Sequence, residues 1–309
     1  MKIHHLNCVS MCPPGRRLMD GRSRPQGVPA ALTCHCLLLE TERGLVLVDT
    51  GFGLADVRTP RPRLSPLFLS LNRPSLNEEM TAVRQVERLG FKAEDVRHIV
   101  LTHLDFDHAG GLDDFPDAQV HLMADEADHA VAQKTWLDRR RFRPQQWRTQ
   151  PHWVAYPMPR GGERWFGFEC VRELQGLPPE ILLVPLVGHT LGHAGVAIQR
   201  ADGWLLHAGD AYFHHAEMDV ERPRCTPGLW LYQQLMQKDG RLRRLNQRRL
   251  RELVRLHDRD VRLFCAHSAV EFERLEEEQR ADEPHALRGL ASLPPEAPFE
   301  PEPPAAPLL

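Results

Sequence analysis

One stretch restricts the chemistry of this chain more than any other: residues 101–111, LTHLDFDHAGG, which follow a short apolar run. It places His103, Asp105, Asp107 and His108 close together and continues with two glycines. At the end of a strand, such alternating side chains can point several donor atoms into one space, whereas a helix would spread them around its axis. The stretch by itself predicts a metal site in a loop, or a polar loop in which Asp107 caps a helix.

Three later apolar segments end in the same way. Residues 188–193, GHTLGH, follow EILLVPLV, Gly209 and Asp210 follow WLLHA, and His267 follows VRLFCA. Each has an ordinary explanation when taken alone, namely a turn glycine beside a polar residue. Four donor-bearing segments at the ends of four apolar strands together predict a dinuclear metal site.

Composition sets the protein class. The 309 residues are 42% hydrophobic with a net charge of -3, which suits a globular protein and gives no reason to expect a nucleic-acid partner. We predict one domain over residues 1–280 and a disordered tail over 281–309, because the tail is rich in proline and acid and poor in aromatic residues.

The chain has no apolar run of about 18 residues and does not begin like a signal peptide, so we expect a cytoplasmic protein that spans no membrane. Seven cysteines, an odd number, favour reduced thiols over a disulfide framework.

Short apolar segments between turn signals predict strands in both halves of the chain, and hence two sheets. They lie within residues 32–49, which we expect to form two strands around a turn at 42–44, near 98–102 and 118–124, and at 180–186, 194–199, 204–210 and 261–267. A helix is expected from Ser75 or Asn77 to about Leu89.

Proline spacing over residues 60–74 rules out one regular helix and predicts a loop or a short helical lid with exposed Leu67, Phe68 and Leu71. Residues 238–255 carry leucines at nearly helical spacing, which predicts an amphipathic helix on a sheet; RNA or acidic lipid is the alternative partner for its arginines.

The ordered motifs resemble those of the metallo-β-lactamase superfamily, whose signature runs H-x-H-x-D-H, then G-H-T-x-G-H, then Gly-Asp, then a late histidine. Residues 49–51, Asp-Thr-Gly, match a further element of that family. The resemblance implies an α/β fold, a four-layer αβ/βα sandwich with two mixed β-sheets flanked by helices. It also implies two divalent metal ions in a cleft at one edge of the sheets.

Matched position by position, the resemblance implies roles for the residues at these strand ends. It gives His103, Asp105 and His189 to the first metal, Asp107, His108 and His267 to the second, and Asp210 to both as a bridging carboxylate. It places His193 behind the ligands and Asp49 beside the histidines, where a carboxylate can fix a ligand tautomer.

Asp105 departs from the family pattern, since the signature has a histidine at this position. The expected first shell then holds three carboxylates and four histidines, which shifts metal preference from zinc toward Mn(II) or Fe(II) without excluding zinc. The alternative is that Asp105 does not bind metal and the first site is weak or empty.

Two metals about 3.5 to 4 Å apart can hold a shared hydroxide and polarise a carbonyl, so hydrolysis of an ester-like bond is the expected reaction. The bridging hydroxide would attack, and Asp107 or Asp210 would relay the proton. Two segments resemble the corresponding parts of N-acyl-homoserine lactonases, namely HLDFDHAGG and CHCLLLETERGLVLVDTG. This resemblance implies a small lactone or ester as substrate. These enzymes have a catalytic tyrosine after the bridging aspartate; Tyr212 is the candidate here, one position earlier than expected.

Several other interpretations stay open. A glyoxalase-II-like thioesterase would use the same residues, an iron-dependent oxidoreductase is suggested by the added carboxylate, and a metal-binding sensor would show no turnover.

Residues 8–19 and 64–76 could form apolar walls for an acyl chain. The aromatic residues that could line a cleft or belong to the core are Trp136, Trp147, Trp153, Trp165 and Phe166. Residues 139–141, three arginines, could meet an anionic group of a substrate. Cys8, Cys12, Cys34 and Cys36 could form a thiolate zinc site, although their spacing does not favour it.

Overall fold

Two β-sheets carry most of the strands in a computed structural model that describes residues 1–15, 17–22, 31–150, 152–159, 161 and 163–282. The strands are β1 (Lys2–Asn7), β2 (His35–Thr41), β3 (Gly44–Val48), β4 (Val96–Val100), β5 (Gln119–Met123), β6 (Trp153–Tyr156), β7 (Arg164–Trp165), β8 (Phe168–Glu169), β9 (Ile181–Pro185), β10 (Ala194–Arg200), β11 (Gly203–His207) and β12 (Val261–Phe264). The helices are α1 (Arg17–Asp20), α2 (Leu54–Arg58), α3 (Pro60–Arg63), α4 (Pro66–Asn72), α5 (Ala82–Arg88), α6 (Phe106–Ala109), α7 (Ala124–Ala132), α8 (Asp138–Arg141), α9 (Pro227–Met236), α10 (Gly240–His257) and α11 (Ala269–Asp282).

The first sheet has the order β1-β2-β3-β4-β5-β6. β1, β2 and β3 pair antiparallel, and β3 to β6 pair parallel. Because the carboxyl ends of parallel strands lie at one edge of a sheet, the segments after β3, β4 and β5 start from the same edge. Asp49 follows β3, and residues 101–111 follow β4.

The second sheet has the order β12-β11-β10-β9. β10 runs antiparallel to both β9 and β11, and β11 pairs parallel with β12. β9, β11 and β12 therefore point the same way, and the loops that carry residues 188–193, Asp210 and His267 leave from one edge.

Apolar residues sort into layers around the sheets. One cluster joins facing strands of the two sheets, with Leu37 and Val46 from the first and Leu183 and Phe264 from the second. Alternate residues of the strands face outward, toward α5 on the first sheet and toward α10 on the second. This is the expected sandwich, and the two predicted sheets are confirmed. The structure also contains a small β7-β8 hairpin that was not predicted.

Residues 60–74 differ from the prediction in one respect. They form the short helices α3 and α4, and Leu67 and Leu71 are exposed as expected. Phe68 is buried instead, 4.1 Å between ring centroids from Phe106 of the motif loop. The segment is therefore anchored beside the expected metal site by an aromatic contact.

The basic segment forms the 18-residue helix α10. Its second half buries Leu250 and Leu253 as predicted, but the buried positions of the first half are polar, among them Arg243 and Gln247. The other leucines of the predicted stripe are exposed: Leu242, Leu245 and Leu256.

α11 continues to Asp282, slightly beyond the predicted domain end, and the remainder of the predicted tail lies outside the described residues. Among the described helices, none is both long enough and apolar enough to cross a membrane.

Candidate metal centre

The seven residues expected to bind metal meet at the edge where the carboxyl ends of both sheets converge. All of them are buried: His103, Asp105, Asp107, His108, His189, Asp210 and His267. His108 lies in the short helix α6, which begins directly after Asp105. This single helical turn directs its imidazole toward the second sheet. The structure thus brings together seven residues that are spread over much of the chain.

Asp210 lies between two groups of imidazoles. Its Oδ2 is 3.2 Å from His189 Nε2 and 3.7 Å from His103 Nε2. Its Oδ1 is 3.1 Å from His267 Nε2 and 3.3 Å from His108 Nε2. Each oxygen of this carboxylate therefore faces its own pair of histidines, which is the arrangement expected of a bridging residue.

The group around Asp210 Oδ1 has the donor atoms of a metal site. His108 Nε2 and Asp210 Oδ1 are enclosed and lack hydrogen-bond partners. His267 Nε2 lies 3.6 Å from Asp107 Oδ2, which brings a second carboxylate to the group. Buried polar atoms without partners are rare, so a cation that accepts their lone pairs fits here. The residues present therefore fit one divalent ion at this position.

Hydrogen bonds on the far side of each imidazole fix its orientation. His108 Nδ1 donates to Asp49 Oδ2 over 2.8 Å, and His267 Nδ1 donates to the Thr33 carbonyl over 2.7 Å. Both rings are thereby held with Nε2 facing Asp210. Such contacts fix the tautomer of a metal-binding histidine.

Asp49 also organises the start of the motif loop. Its Oδ1 accepts from the Thr102 amide and its Oδ2 from the Thr102 hydroxyl, each over 2.8 Å. The hydroxyl in turn accepts from His103 Nδ1 over 2.9 Å. One buried carboxylate therefore orients two histidines.

His193 has a supporting place, as the resemblance implied. Its Nδ1 donates to the Leu186 carbonyl over 3.0 Å, and its Nε2 accepts from the Asp210 amide over 2.9 Å. Both ring nitrogens are used within the protein. His193 thus positions the backbone of Asp210.

Glu126, which the sequence analysis missed, ties the two motif loops together. Its Oε1 accepts from the Leu104 amide over 3.0 Å; its Oε2 accepts from the Thr190 hydroxyl over 2.5 Å and from the Gly192 amide over 3.1 Å. A Cβ at Gly192 would lie 2.0 Å from the Glu126 nitrogen, so only glycine permits this approach. The local sequence after β5 reads ADEAD, and nothing in it distinguishes Glu126 from the acids on either side.

The charge balance of the cluster favours cations. Burial disfavours the charged form, yet Asp210 and then Asp49 outweigh burial and raise the pKa of His108 well above its usual value. Burial also opposes charge on Asp210, but His267, then His108 and His189, hold its pKa well below the usual range. Burial raises the pKa of Asp107, partly offset by His108.

Asp105, the residue that departs from the family pattern, is paired with Arg141 of α8. Arg141 Nε donates to Asp105 Oδ1 over 2.7 Å, and Nη2 donates to Oδ2 over 2.5 Å. The same Nη2 lies 2.8 Å from His189 Nε2. The sequence suggested an anionic group of a substrate as the partner of the arginines at 139–141. Arg141 instead binds a carboxylate of the protein itself.

The structure does not bring Tyr212 to the cluster. Its hydroxyl donates to Glu271 Oε1 over 2.9 Å, and its ring belongs to the hydrophobic cluster on the outer side of the second sheet. The expected catalytic role is therefore not supported by its position. The reason is the turn at residues 209–210: Asp210 faces the histidines, while the side chain two residues later packs into the core.

Tyr232 of α9 faces the site instead, and the sequence analysis missed it. Burial, followed by the charges of Asp107, Asp105 and Asp210, raises its pKa well above the usual value. Its ring lies 5.7 Å from that of Phe213, which stacks on His267 at 5.0 Å. Nothing in the local sequence distinguishes Tyr232 from any tyrosine in a helix.

An apolar cluster lies next to the metal-binding edge. It contains Phe106 and Phe213, which flank the ligand positions, and residues from both predicted wall segments, Val9 and Met11 from 8–19 and Phe68 from 64–76. Trp147 and Trp165 are core residues and Trp136 is exposed. Both wall segments thus contribute buried residues to the apolar cluster next to the ligand positions.

The cysteines do not form the thiolate site that was considered. All seven are free. The groups of potential metal ligands in the described part of the chain do not include a set formed by Cys8, Cys12, Cys34 and Cys36; Cys34 instead lies with Asp107 and His267. Burial raises the pKa of Cys34 well above its usual value, so it is a thiol and not a thiolate.

Comparison with known proteins agrees with this geometry. Residues 30–246 match the family model of the metallo-beta-lactamase superfamily. A probable metallo-hydrolase of Mycobacterium tuberculosis is 42% identical over 267 residues, which cover 86% of this chain and 80% of the relative. An N-acyl homoserine lactonase of Bacillus thuringiensis is 31% identical over 220 residues, 68% of this chain and 78% of the relative.

Solved structures show the same fold. A structure of an N-acyl homoserine lactone hydrolase with N-hexanoyl-L-homoserine at its catalytic metal centre superimposes with a TM-score of 0.65 at 21% identity, covering 88% of this chain and 95% of that one. A dizinc quorum-quenching lactonase superimposes with a TM-score of 0.56 at 16% identity, covering 86% of each chain. The chain therefore belongs to the metallo-β-lactamase superfamily, as a metallo-hydrolase and hence an enzyme.

Proposed function

We propose that the protein is a metal-dependent hydrolase that cleaves a lactone or another carboxylic ester. The observation that carries the proposal is the group of His108, His267 and Asp210 Oδ1, with Asp107 Oδ2 3.6 Å from His267 Nε2, whose enclosed atoms fit a divalent ion. When bound, such an ion lowers the pKa of water and polarises a carbonyl. Because Cys34 is held as a thiol, water is the nucleophile that the site supports.

Asp107 suits the role of proton relay. Burial raises its pKa, and the neighbouring carboxylates of Asp210 and Asp105 act in the same direction. A carboxylate of this kind takes up and returns a proton more readily than an exposed one. Asp210 is fixed between four imidazoles and keeps its charge, so we assign it to binding and orientation.

We propose Tyr232 in place of Tyr212 as the phenol that assists at the substrate oxygen. Its raised pKa keeps the hydroxyl protonated at neutral pH, so it can donate a hydrogen bond to developing negative charge. Tyr212, bonded to Glu271, has no free donor for this purpose.

Two lines support a lactone or ester as the substrate. Relatives named N-acyl homoserine lactonase cover two thirds of this chain, and a structural neighbour holds an acyl-homoserine product at its metal centre. The apolar cluster around Phe106 and Phe213 would receive an acyl chain beside the metal position. Phe68 and Phe106, whose ring centroids lie 4.1 Å apart, would bound that chain on one side.

For the metal we propose zinc, with Mn(II) or Fe(II) as alternatives because carboxylates make up much of the donor set. A dizinc lactonase among the structural neighbours supports zinc. We further propose that residues 1–280 act as one domain in the cytoplasm, supported by the lack of disulfides among the described cysteines.

The test is an assay of metal-loaded protein on a panel of acyl homoserine lactones, aryl esters and acyl-glutathione. Asp210→Asn removes the shared carboxylate, and Asp202→Asn changes an exposed aspartate as its control. We expect lactone or ester turnover that is lost in Asp210→Asn and kept in Asp202→Asn. Turnover of acyl-glutathione alone would replace the proposal by a thioesterase, and no turnover with a ligand-induced rise in melting temperature would replace it by a binding protein.

A further inference from the structure

We propose that the guanidinium of Arg141 takes the place of the first metal ion, so that the enzyme holds a single divalent ion, bound by Asp107, His108, His267 and Asp210. The inference rests on the proposed hydrolase function and specifies its metal content. It starts from the pairing of Arg141 with Asp105. Both carboxylate oxygens accept from the guanidinium, over 2.7 Å and 2.5 Å, in the bidentate geometry of a strong ion pair.

His189 is engaged by the same guanidinium. Its Nε2 lies 2.8 Å from Arg141 Nη2. The same Nε2 lies 3.0 Å from Asp105 Oδ2, which is itself bound to Arg141. A guanidinium has donors and no acceptor, so the contact with Arg141 is a hydrogen bond when His189 offers it the Nε2 lone pair. A metal ion at the first position would need the same lone pair. His189 can satisfy one of them and not both.

Arg141 is built into this place and is not a side chain that has swung in from the surface. It is buried, and Nη1 donates to the Met236 carbonyl over 2.7 Å. The guanidinium is permanently charged, and Asp105 is its matching anion. A divalent ion bound to His189 Nε2 at about 2.0 Å would stand a few ångströms from this fixed positive charge and be repelled.

Too few donors remain at the first position once Arg141 has engaged two of them. His103 Nε2 is enclosed without a partner, and the nearest remaining oxygen is Asp210 Oδ2 at 3.7 Å. Zinc in proteins takes at least three protein ligands. At the second position the donors of His108, His267, Asp107 and Asp210 are free of arginine contacts in the described structure.

The pairing with Arg141 explains why Asp105 departs from the family pattern. A histidine at this position could not neutralise a buried guanidinium, and a buried cation without a partner is strongly destabilising. Asp105 and Arg141 therefore form a matched pair, and the cluster keeps two positive centres, one supplied by an ion and the other by the chain.

Metal stoichiometry tests the proposal. We would load the wild-type protein with Zn(II) or Mn(II), remove loosely bound metal, and measure metal per chain by elemental analysis. The double variant Asp105→His with Arg141→Met rebuilds a histidine ligand and frees His189. Arg139→Met, on the same short helix and exposed, is the matched control.

We expect one equivalent in the wild type and in Arg139→Met, and two in the double variant. The electron paramagnetic resonance spectrum of the Mn(II) forms gives a second readout: an isolated ion in the wild type and a spin-coupled pair in the double variant. Two equivalents with a coupled pair in the wild type, no bound metal, or one equivalent in a folded double variant would overturn the proposal. If the double variant does not fold, the wild-type stoichiometry and spectrum decide alone.

The same samples separate this inference from the proposed function. One equivalent with no turnover of any ester or lactone would leave the single-ion centre standing and remove the hydrolase proposal. Two equivalents with lactone turnover would do the reverse.

Discussion

Asp49 Oδ2 accepts the Nδ1–H of His108 over 2.8 Å, and this contact decides which nitrogen of the imidazole faces Asp210. Burial would raise the pKa of Asp49, but the charge and hydrogen bond of His108 outweigh burial and hold the pKa below its usual value. The carboxylate therefore stays ionised behind the ring. It sits at a φ of 56°, a left-handed conformation that asparagine adopts as readily as aspartate.

Replacing Asp49 by asparagine should weaken metal binding without straining the backbone. The amide keeps the shape but loses the charge that makes His108 a better donor, and we expect metal affinity to fall about 10- to 100-fold. Competition with a chromophoric chelator measures this. Asp117→Asn, at an exposed site, is the control; equal affinities in the two variants would show that Asp49 does not act through His108.

Replacing Glu126 by alanine should lower the free energy of unfolding. The change leaves the Leu104 amide, the Thr190 hydroxyl and the Gly192 amide without their buried acceptor. At about 1–3 kcal/mol for each stranded donor, we expect a loss of about 3 kcal/mol or more in urea unfolding. Asp125→Ala, one residue earlier and exposed, should change little. A loss below 1 kcal/mol in Glu126→Ala would mean that water replaces the carboxylate.

Substitution of Tyr232 should affect activity, whereas substitution of Tyr212 should affect stability. Tyr232→Phe removes the phenol that faces the site, and we expect kcat to fall about 10²-fold with stability nearly unchanged. Tyr212→Phe removes the donor to Glu271, and we expect kcat to be kept while the protein loses about 1 kcal/mol of stability. Steady-state kinetics and urea unfolding of both variants check this. The opposite pattern would restore Tyr212 as the catalytic residue.

Glu271 should make stability depend on pH. Burial raises its pKa from 4.5 to about 7, so between these values the folded protein holds a proton that the unfolded chain has released. Stability from this group is complete below pH 4.5 and falls as the pH rises toward 7, by about 3 kcal/mol in total.

Urea unfolding of wild type and Glu271→Gln from pH 4.5 to 8 isolates this contribution, because the other titrating groups are common to both. We expect the wild type to lose stability relative to the variant as the pH rises. Glu277→Gln, an exposed change on the same helix, should follow the wild type. Parallel curves for wild type and Glu271→Gln would show that the carboxyl ionises normally in the folded state.

The sequence determined the strands that end in donor residues and the order of those donors, although it did not predict β1 or β6. Both are local: an apolar segment that ends in His103 or His267 shows where a strand stops and what it carries. The resemblance then supplied the bridging place of Asp210, and the structure puts each of its oxygens before two imidazoles. The leucines of α10 show the limit of prediction from periodicity, because a helical period does not indicate which polar residues share the buried face of the helix.

Only the tertiary structure decided what surrounds those donors. Arg141 reaches Asp105 from 36 residues away, Glu126 joins the loops that follow β4 and β9, and Tyr232 lies where the charges of the clustered aspartates act on it. Each depends on how a helix is rotated and seated on its sheet, which follows from the packing of many apolar side chains at once. A run of arginines or a tyrosine in a helix has the same local sequence whether it faces solvent, the core or a metal, and so the direction it faces cannot be inferred before the chain is folded.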